Sequence, residues 1–467
     1  MKRAALRLLL TAAAVLAAAA PAAAQAGEDS TPGNGKKVDH VALLRQAIAD
    51  PTKVVIAQTA PAVRVALGEM FGMGTSDTTG RLVTALRKLG FDYVYDTLSG
   101  ADLTTMEEGH EMIARLNAHL EGKKDAPALP MFTSCCPGWV GYVEDEAADL
   151  IPHLSTCKSP HMMVGAMVKR FFAQKIGRNA SDIVMSSIMP CYKKQWEADR
   201  IDMQTPDGAR EVDHVVTTKQ LGAWLQREGI DYPKLDNSTF DSWMGLSTGS
   251  GALYGVTGGV TESVLRTVYE LCSGQKLDKL EFPAVRGLQG VKEATVVIPV
   301  NPKGPLKNKE PLTLSVAVAS GLEYAPPLLD AVRNGTNTYN FLEVMNCDGG
   351  CINGEGQPES DDPDIVKKRA AALYSADERA VIRRAHENPA VLQLYTDFLD
   401  EPNSPLAEEV LHTSFVEDGP ELFDWRLAID GESGNLGNPS NGKQDGSGKD
   451  GGNKGGASRR LLRGCNC

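Results

Sequence analysis

The chain has 467 residues, 42% hydrophobic and 23% charged, which is enough for one large two-lobed domain or two ordinary ones. Its formal net charge of −12 argues against a general nucleic-acid surface, although an acidic protein can still carry a local basic patch for an acidic partner. Nine cysteines scattered over this length are not the dense framework of a small secreted disulfide protein, so reduced thiols, metal ligands or catalytic cysteines are the better reading.

The first element in chain order is a leader. Lys2 and Arg3 precede the apolar run LLLTAAAVLAAAA, and a small-residue zone follows near Ala24 to Ala26. This pattern predicts that residues 1–26 are a removed targeting segment. It has the form of a secretory signal, while the lack of any acidic residue before Glu28 also fits organelle import, so its destination stays open. The run is too short to span a membrane comfortably, and no later stretch is apolar enough to do so; no stable membrane insertion is expected.

From Val38 onward short apolar runs alternate with amphipathic ones. KVVIAQ, FDYVYDT, PMFTS, DIVMSSI, ATVVIPV, TLSVAVAS and FLEVMNC read as buried strands. RLVTALRKLG reads as a helix capped at Gly90, and ADLTTMEEGHEMIARLNAHL and SPHMMVGAMVKRFFAQKIG have a helical period. The segment from Asp362 to about His412 is expected to be helical throughout. Strands alternating with helices predict an α/β fold with mainly parallel pairing over residues 38–417. Residues 431–467, rich in Gly, Asn, Ser, Lys and Asp, are expected to form a disordered low-complexity tail.

Three segments concentrate the chemistry: Thr133-Ser134-Cys135-Cys136-Pro137-Gly138-Trp139, Met189-Pro190-Cys191-Tyr192-Lys193-Lys194 running to Glu197, and Glu343 through Cys347-Asp348-Gly349-Gly350-Cys351. In each, an apolar strand ends and a cysteine sits at the following turn, where Pro and Gly open the backbone to something bulky. Ligands of α/β sheets collect beyond the carboxyl ends of strands, so three such turns can converge on one site. A 4Fe–4S cubane needs four thiolates. Cys136, Cys191, Cys347 and Cys351 would supply them, leaving Cys135 spare. Taken singly, each motif has a plainer reading: adjacent cysteines that merely pack, or a zinc half-site at Cys347-x-x-x-Cys351. Taken together, the three favour a cluster.

TSCCPGW, MPCxxK with Glu197 three residues on, and ExMxCxGGC resemble the three signature motifs of [FeFe]-hydrogenases, and the resemblance runs from about Lys53 to Phe415. No cysteine precedes Cys135, which looks like the short algal form built on the catalytic domain alone. The resemblance implies two lobes, each a mainly parallel sheet flanked by helices, with the cluster site between them. It also implies an H-cluster: a 4Fe–4S cubane joined to a diiron subcluster carrying CO, cyanide and a bridging dithiolate with a central amine. By position, Cys136, Cys191, Cys347 and Cys351 would be the metal ligands, with Cys351 bridging to the diiron unit. Met189 and Met345 would pack against the cluster, Pro61, Ala62 and Pro160 would line the diiron pocket, and Lys194 would donate to a cyanide.

By the same resemblance Cys135 would be the last proton carrier. Glu108, Ser155 and Glu111 would stand ahead of it, with Arg115 beside Glu111. Glu108, Glu111 and Arg115 fall at i, i+3 and i+7 on the predicted helix and share one face, which taken alone also suits an ordinary salt-bridged surface. Cys157 and Cys272 receive no role and read as small buried residues.

Some residues depart from the pattern. Asn353 and Glu355 interrupt a glycine stretch, His161 stands where glutamine is usual, and Tyr254 stands where phenylalanine is usual. Were φ > 0 required at 353 and 355, Asn would be tolerable and Glu less so. The implied partners are ferredoxin, as electron donor, and the hydrogenase maturation proteins. Algal lysines before the third motif are replaced by Ala325-Pro326-Pro327, so Lys158, Lys169, Arg170, Lys175 and Arg178 are the candidates for a basic docking patch. The algal resemblance points to the chloroplast stroma, with a hydrogenosome or a bacterial envelope as alternatives. Two other functions share the fold: a cubane-only iron–sulfur assembly factor, and a hydrogen sensor lacking the relay cysteine.

Overall fold

A computed structural model describes residues 38–288, 290–336 and 338–417; the predicted leader (1–26) and tail (431–467) lie outside the described residues. All elements below belong to one unit of contacts that begins at Asp39. Its strands are β1 (Val54–Thr59), β2 (Tyr93–Asp96), β3 (Met131–Phe132), β4 (Ile183–Met189), β5 (His214–Thr217), β6 (Val291–Ile298), β7 (Leu312–Ser320) and β8 (Phe341–Met345). They form two four-stranded sheets, ordered β2-β1-β4-β5 and β3-β8-β7-β6. The first is wholly parallel; in the second only the edge pair β6–β7 is antiparallel. The expected α/β class and mainly parallel pairing therefore hold.

Apolar side chains cover both faces of the second sheet. On β7 and β8, Val316, Val318 and Phe341 enter one core, while Ala317, Ala319, Leu342 and Val344 enter another. This is the period-two alternation of a strand buried on both sides, and it explains why TLSVAVAS reads as a continuous apolar run. Strand β6 alternates exposed and covered residues, as an edge strand does. Gly90 ends its helix at φ 107°, as expected of a left-handed cap.

The longest helix among the described residues, Thr97–Leu120, has 24 residues and starts with Asp96 accepting from the Leu98 N–H. It is buried along most of its length. At its crossing with the Pro160–Met167 helix, a Cβ on Gly100 would stand 2.3 Å from the Pro160 carbonyl, so only glycine permits this approach.

Two expectations are corrected. Strand β5, HVVT, escapes detection because it is four residues long and starts with histidine. The stretch from Asp362 to His412 is not helical throughout. It breaks into Ile365–Arg379, Pro389–Leu394 and Pro405–Leu411 with short 3-10 and π turns between, because Pro389 and Pro405 each occupy the first turn of a new helix.

Candidate active site and metal centre

Strands β3, β4 and β8 each end just before a cysteine turn. β3 and β8 are neighbours in one sheet and β4 lies in the other, so the three turns leave the carboxyl ends of strands from both sheets. They meet at a cavity lined by Cys135, Cys136, Cys191, Cys347 and Cys351. All five are free thiols. Gly350 sits at φ 90°, and a Cβ there would fall 2.6 Å from the Thr257 amide nitrogen; the turn between Cys347 and Cys351 therefore requires glycine.

The sequence-predicted cluster residues are brought together. Met189, Met345, Pro61, Ala62, Pro160 and Lys194 all line the same cavity. Its wall continues past the cysteines to Ala60, Thr97, Ala101, His161 and Tyr254, of which only Tyr254 and His161 stand out in sequence. Lys194 Nζ donates to the Cys135 carbonyl at 2.7 Å and to Glu197 Oε2 at 2.8 Å. Burial works against its charge, but Glu197 and Cys135 outweigh it and raise its pKa. Burial alone would raise the Glu197 carboxyl; Lys194 and His161 instead bring it down to about 2. His161, bonded to Glu197 at 2.9 Å and to Ser187 at 3.1 Å, has its pKa lowered by burial against the pull of Glu197.

The donor set suits an iron–sulfur group. Burial pushes the Cys347 and Cys351 thiols up to about 12, and Cys136 is the next cause for both. Cys191 is raised in the same way, by burial and then by Cys347. Such thiols become thiolates together only if a cation compensates them, which is what a metal cluster does.

A second chain of contacts approaches the cavity from the Thr97–Leu120 helix. Arg115 donates to Glu111 Oε1 at 2.6 Å, and Ser155 Oγ donates to Glu111 Oε2 at 2.7 Å. Arg115 also caps the carbonyls of Ala128 and Leu154, so it fixes Glu111 to the segment that bears Ser155. Glu108 is fully buried, and among the described residues no group makes a well-formed hydrogen bond to either carboxylate oxygen, although the Ser134 amide and Ser155 hydroxyl lie close by. Burial, then the charge of Glu111, pushes its carboxyl up to about 8, against the pull of the Ser134 amide and the Ser155 hydroxyl. Burial and then Glu108 push the Cys135 thiol well up. Glu108 is thus protonated at neutral pH and stands between the outer pair and the thiol.

This arrangement has a stability consequence. Glu108 titrates near 8 in the folded chain against about 4.5 in the unfolded one. Its contribution is complete below pH ~4.5 and is lost as pH rises toward 8, a cost on the order of a few kcal/mol. Glu108→Gln removes that loss. In urea unfolding at pH 5 and pH 8.5, the variant is expected to gain on the parent at the higher pH; a gap independent of pH would contradict the buried carboxyl.

The departures find simple explanations. Neither Asn353 nor Glu355 has positive φ, so the glycine interruptions carry no backbone strain. Glu355 instead pairs with Lys193 at 2.7 Å. The Tyr254 hydroxyl bonds to Thr105 Oγ1 at 2.8 Å. Cys272 is buried in a hydrophobic core, as expected.

The basic patch is a correction. Lys158 is 2% exposed and is held by Glu211 at 2.7 Å and 2.9 Å. Lys169 is buried against Asp213, and Arg170 is shared between Glu211 and Glu409. Only Lys175 and Arg178 remain exposed, and Lys175 pairs with Asp397. The other three cations serve the core. Cys157, given no role, has its thiol against Glu111 Oε2 at 3.7 Å. The sequence offers no signal for the nearby Glu107 and His412, which are bonded to each other at 3.1 Å.

Residues 53–355 match the family described as iron only hydrogenase large subunit, C-terminal domain, and residues 363–418 match iron hydrogenase small subunit. The chain belongs to the iron-only hydrogenase family. Among the relatives of this family member is the NADP-reducing hydrogenase subunit HndD of Solidesulfovibrio fructosivorans, 44% identical over 375 residues. That match covers 80% of this chain and 62% of HndD, so the chain spans less than two thirds of that relative. A solved structure of apo [FeFe]-hydrogenase HydA1 from Chlamydomonas reinhardtii, a cysteine-to-histidine variant, matches with a TM-score of 0.74 and 44% identity, covering 82% of this chain and all of the other. A more distant relative is the cytosolic iron-sulfur assembly component 3 of Bos taurus, 29% identical over 79% of this chain and 76% of its own length. Fold and family therefore agree with the resemblance to the algal form.

Proposed function

We propose that the chain is a ferredoxin-dependent hydrogenase that reduces protons reversibly to hydrogen at an H-cluster held by Cys136, Cys191, Cys347 and Cys351. The observation that carries this reading is the single cavity that joins four cysteines with a spare thiol, Cys135, and with a carboxyl–hydroxyl–carboxyl chain leading to that thiol. When bound, the cluster supplies the electron transfer and the site at which protons and electrons combine.

The residues of the chain do the rest. Arg115 keeps Glu111 in place at the partly exposed end, 12% exposed, where it receives a proton from solvent. Ser155 passes it inward as donor and acceptor, Glu108 holds it at neutral pH, and Cys135 delivers it to the cavity. Lys194, kept charged by Glu197, presents a cation to the cavity and suits a cyanide ligand. Met189, Met345, Pro61, Ala62 and Pro160 exclude water from the same space. Maturation proteins are required to build the diiron part.

The alternative, a cubane-only assembly factor, needs neither Cys135 nor Lys194 at the cavity, nor a wall extending past the four cysteines. Infrared spectra of chain expressed with the hydrogenase maturation enzymes decide between them. Bound CO and cyanide stretches that shift under hydrogen are expected. Iron at about four per chain without such bands, as one cubane contains, would favour the assembly reading.

A further inference from the structure

Beside the relay lie two side chains that proton transfer does not use. Cys157 and His412 face each other across an isolated antiparallel bridge. The flanking bonds, Thr413 N–H to the Thr156 carbonyl at 2.7 Å and Lys158 N–H to the Leu411 carbonyl at 2.8 Å, make 157 and 412 a non-hydrogen-bonded pair. In such a pair the two side chains share one face at the closest cross-strand spacing. That face meets the Thr97–Leu120 helix at Glu111. One ligand atom each from Glu111, Cys157 and His412 lies within 4.8 Å of the others.

We propose that Glu111, Cys157 and His412 form a binding site for a divalent cation of the zinc class, which closes the outer end of the proton relay. Thiolate, imidazole and carboxylate are the ligands zinc takes, at about 2.0–2.3 Å. Ligand atoms around a tetrahedral ion stand roughly 3.3–3.8 Å apart, so side-chain rotation of about 1 Å closes the present spread.

The surroundings select the ligating atoms. Thr156 Oγ1 holds His412 Nδ1 at 2.7 Å, which fixes the ring and leaves Nε2, now facing Glu107 Oε2 at 3.1 Å, as the ligand. Arg115 occupies Glu111 Oε1, so the oxygen turned toward Cys157 is Oε2. Arg115 opposes a cation here, but Glu107, Glu111 and the Cys157 thiolate balance it together with a divalent ion. As the sulfur–metal bond forms, the Cys157 thiol proton is released to solvent.

Occupancy takes Glu111 Oε2 away from Ser155 and interrupts the relay at its first hand-off. This inhibitory consequence rests on the hydrogenase reading; binding itself does not. The test is a zinc titration of the cluster-loaded enzyme by equilibrium dialysis, with zinc K-edge absorption and hydrogen evolution followed in parallel. One zinc per chain with a sulfur ligand at about 2.3 Å is expected. Turnover is expected to fall with zinc while the infrared bands stay in place. Cys157→Ala should lose the zinc–sulfur signal and raise the half-inhibitory zinc concentration at least tenfold, and His412→Gln should weaken binding in the same direction. Equal zinc uptake and equal inhibition in parent and both variants would overturn the site. If the chain evolves no hydrogen at all, the absorption edge still decides binding, and only the inhibition is lost with the hydrogenase reading.

Discussion

Cys135→Ala is expected to lower hydrogen evolution by about two to four orders of magnitude, the usual cost of removing a positioned proton carrier, while the cluster stays bound. The thiol lines the cavity beside the four other cysteines, yet a cubane needs only those four. Its backbone carbonyl accepts from Lys194, a contact alanine retains, so the loss reports on the sulfur and not on the lysine. Behind it, Glu108 is poised near 8, and among the described residues no well-formed hydrogen bond commits its carboxyl elsewhere. Two neutral acids in series can each take up and give away a proton without leaving a charge in a buried place. Serine is a poor substitute, because its hydroxyl gives up a proton far less readily than a thiol. The measurement is turnover with a chemical reductant, alongside iron content and the infrared bands of the loaded enzyme. Unchanged bands with turnover within threefold of the parent would exclude Cys135 as the carrier; bands lost together with turnover would make it a structural residue.

How much of this is legible in the sequence depends on distance along the chain. Apolar runs bounded by turn residues mark β1, β4, β7 and β8 because their side chains are buried on both faces. That each cysteine turn lies at the carboxyl end of a parallel strand also follows from sequence, but β4 belongs to one sheet and β3 and β8 to the other, and the local pattern does not show that the two sheets face one site. Charge is less readable. Lys158 and Lys169 look like surface cations until their acids, Glu211 and Asp213, are found on a segment some distance away in sequence. Helix breaks at Pro389 and Pro405 are also missed, because proline in a first turn leaves the local helical period intact. The meeting of Cys157 with His412 is invisible for a similar reason: an isolated bridge has no periodicity.

The second large effect concerns how the cysteine turns are held to one another. Glu144 lies on the helix Pro137–Glu146, which begins directly after Cys136. Arg200 follows the helix Lys193–Ala198, which begins shortly after Cys191. The two make a bidentate pair at 2.9 Å and 2.9 Å, with Glu144 fully buried. This pair therefore ties a turn from one sheet to a turn from the other. Arg200→Met would leave Glu144, among the described residues, with only the Val416 N–H at 3.3 Å, an almost uncompensated buried charge. The expected cost is about 3–5 kcal/mol. Replacing both, as Glu144→Leu with Arg200→Met, removes the charge as well as its partner and should recover most of that loss. Urea unfolding of the cluster-loaded chain checks the stability, and iron content checks the geometry. A double variant as unstable as Arg200→Met would show that packing of the long arginine side chain over Trp196 and Phe415, and not the ion pair, joins the two turns. Recovery of stability without recovery of iron would mean that the pair's role is geometric: it sets the spacing at which Cys136 and Cys191 face the same cavity, and stability alone does not restore that spacing.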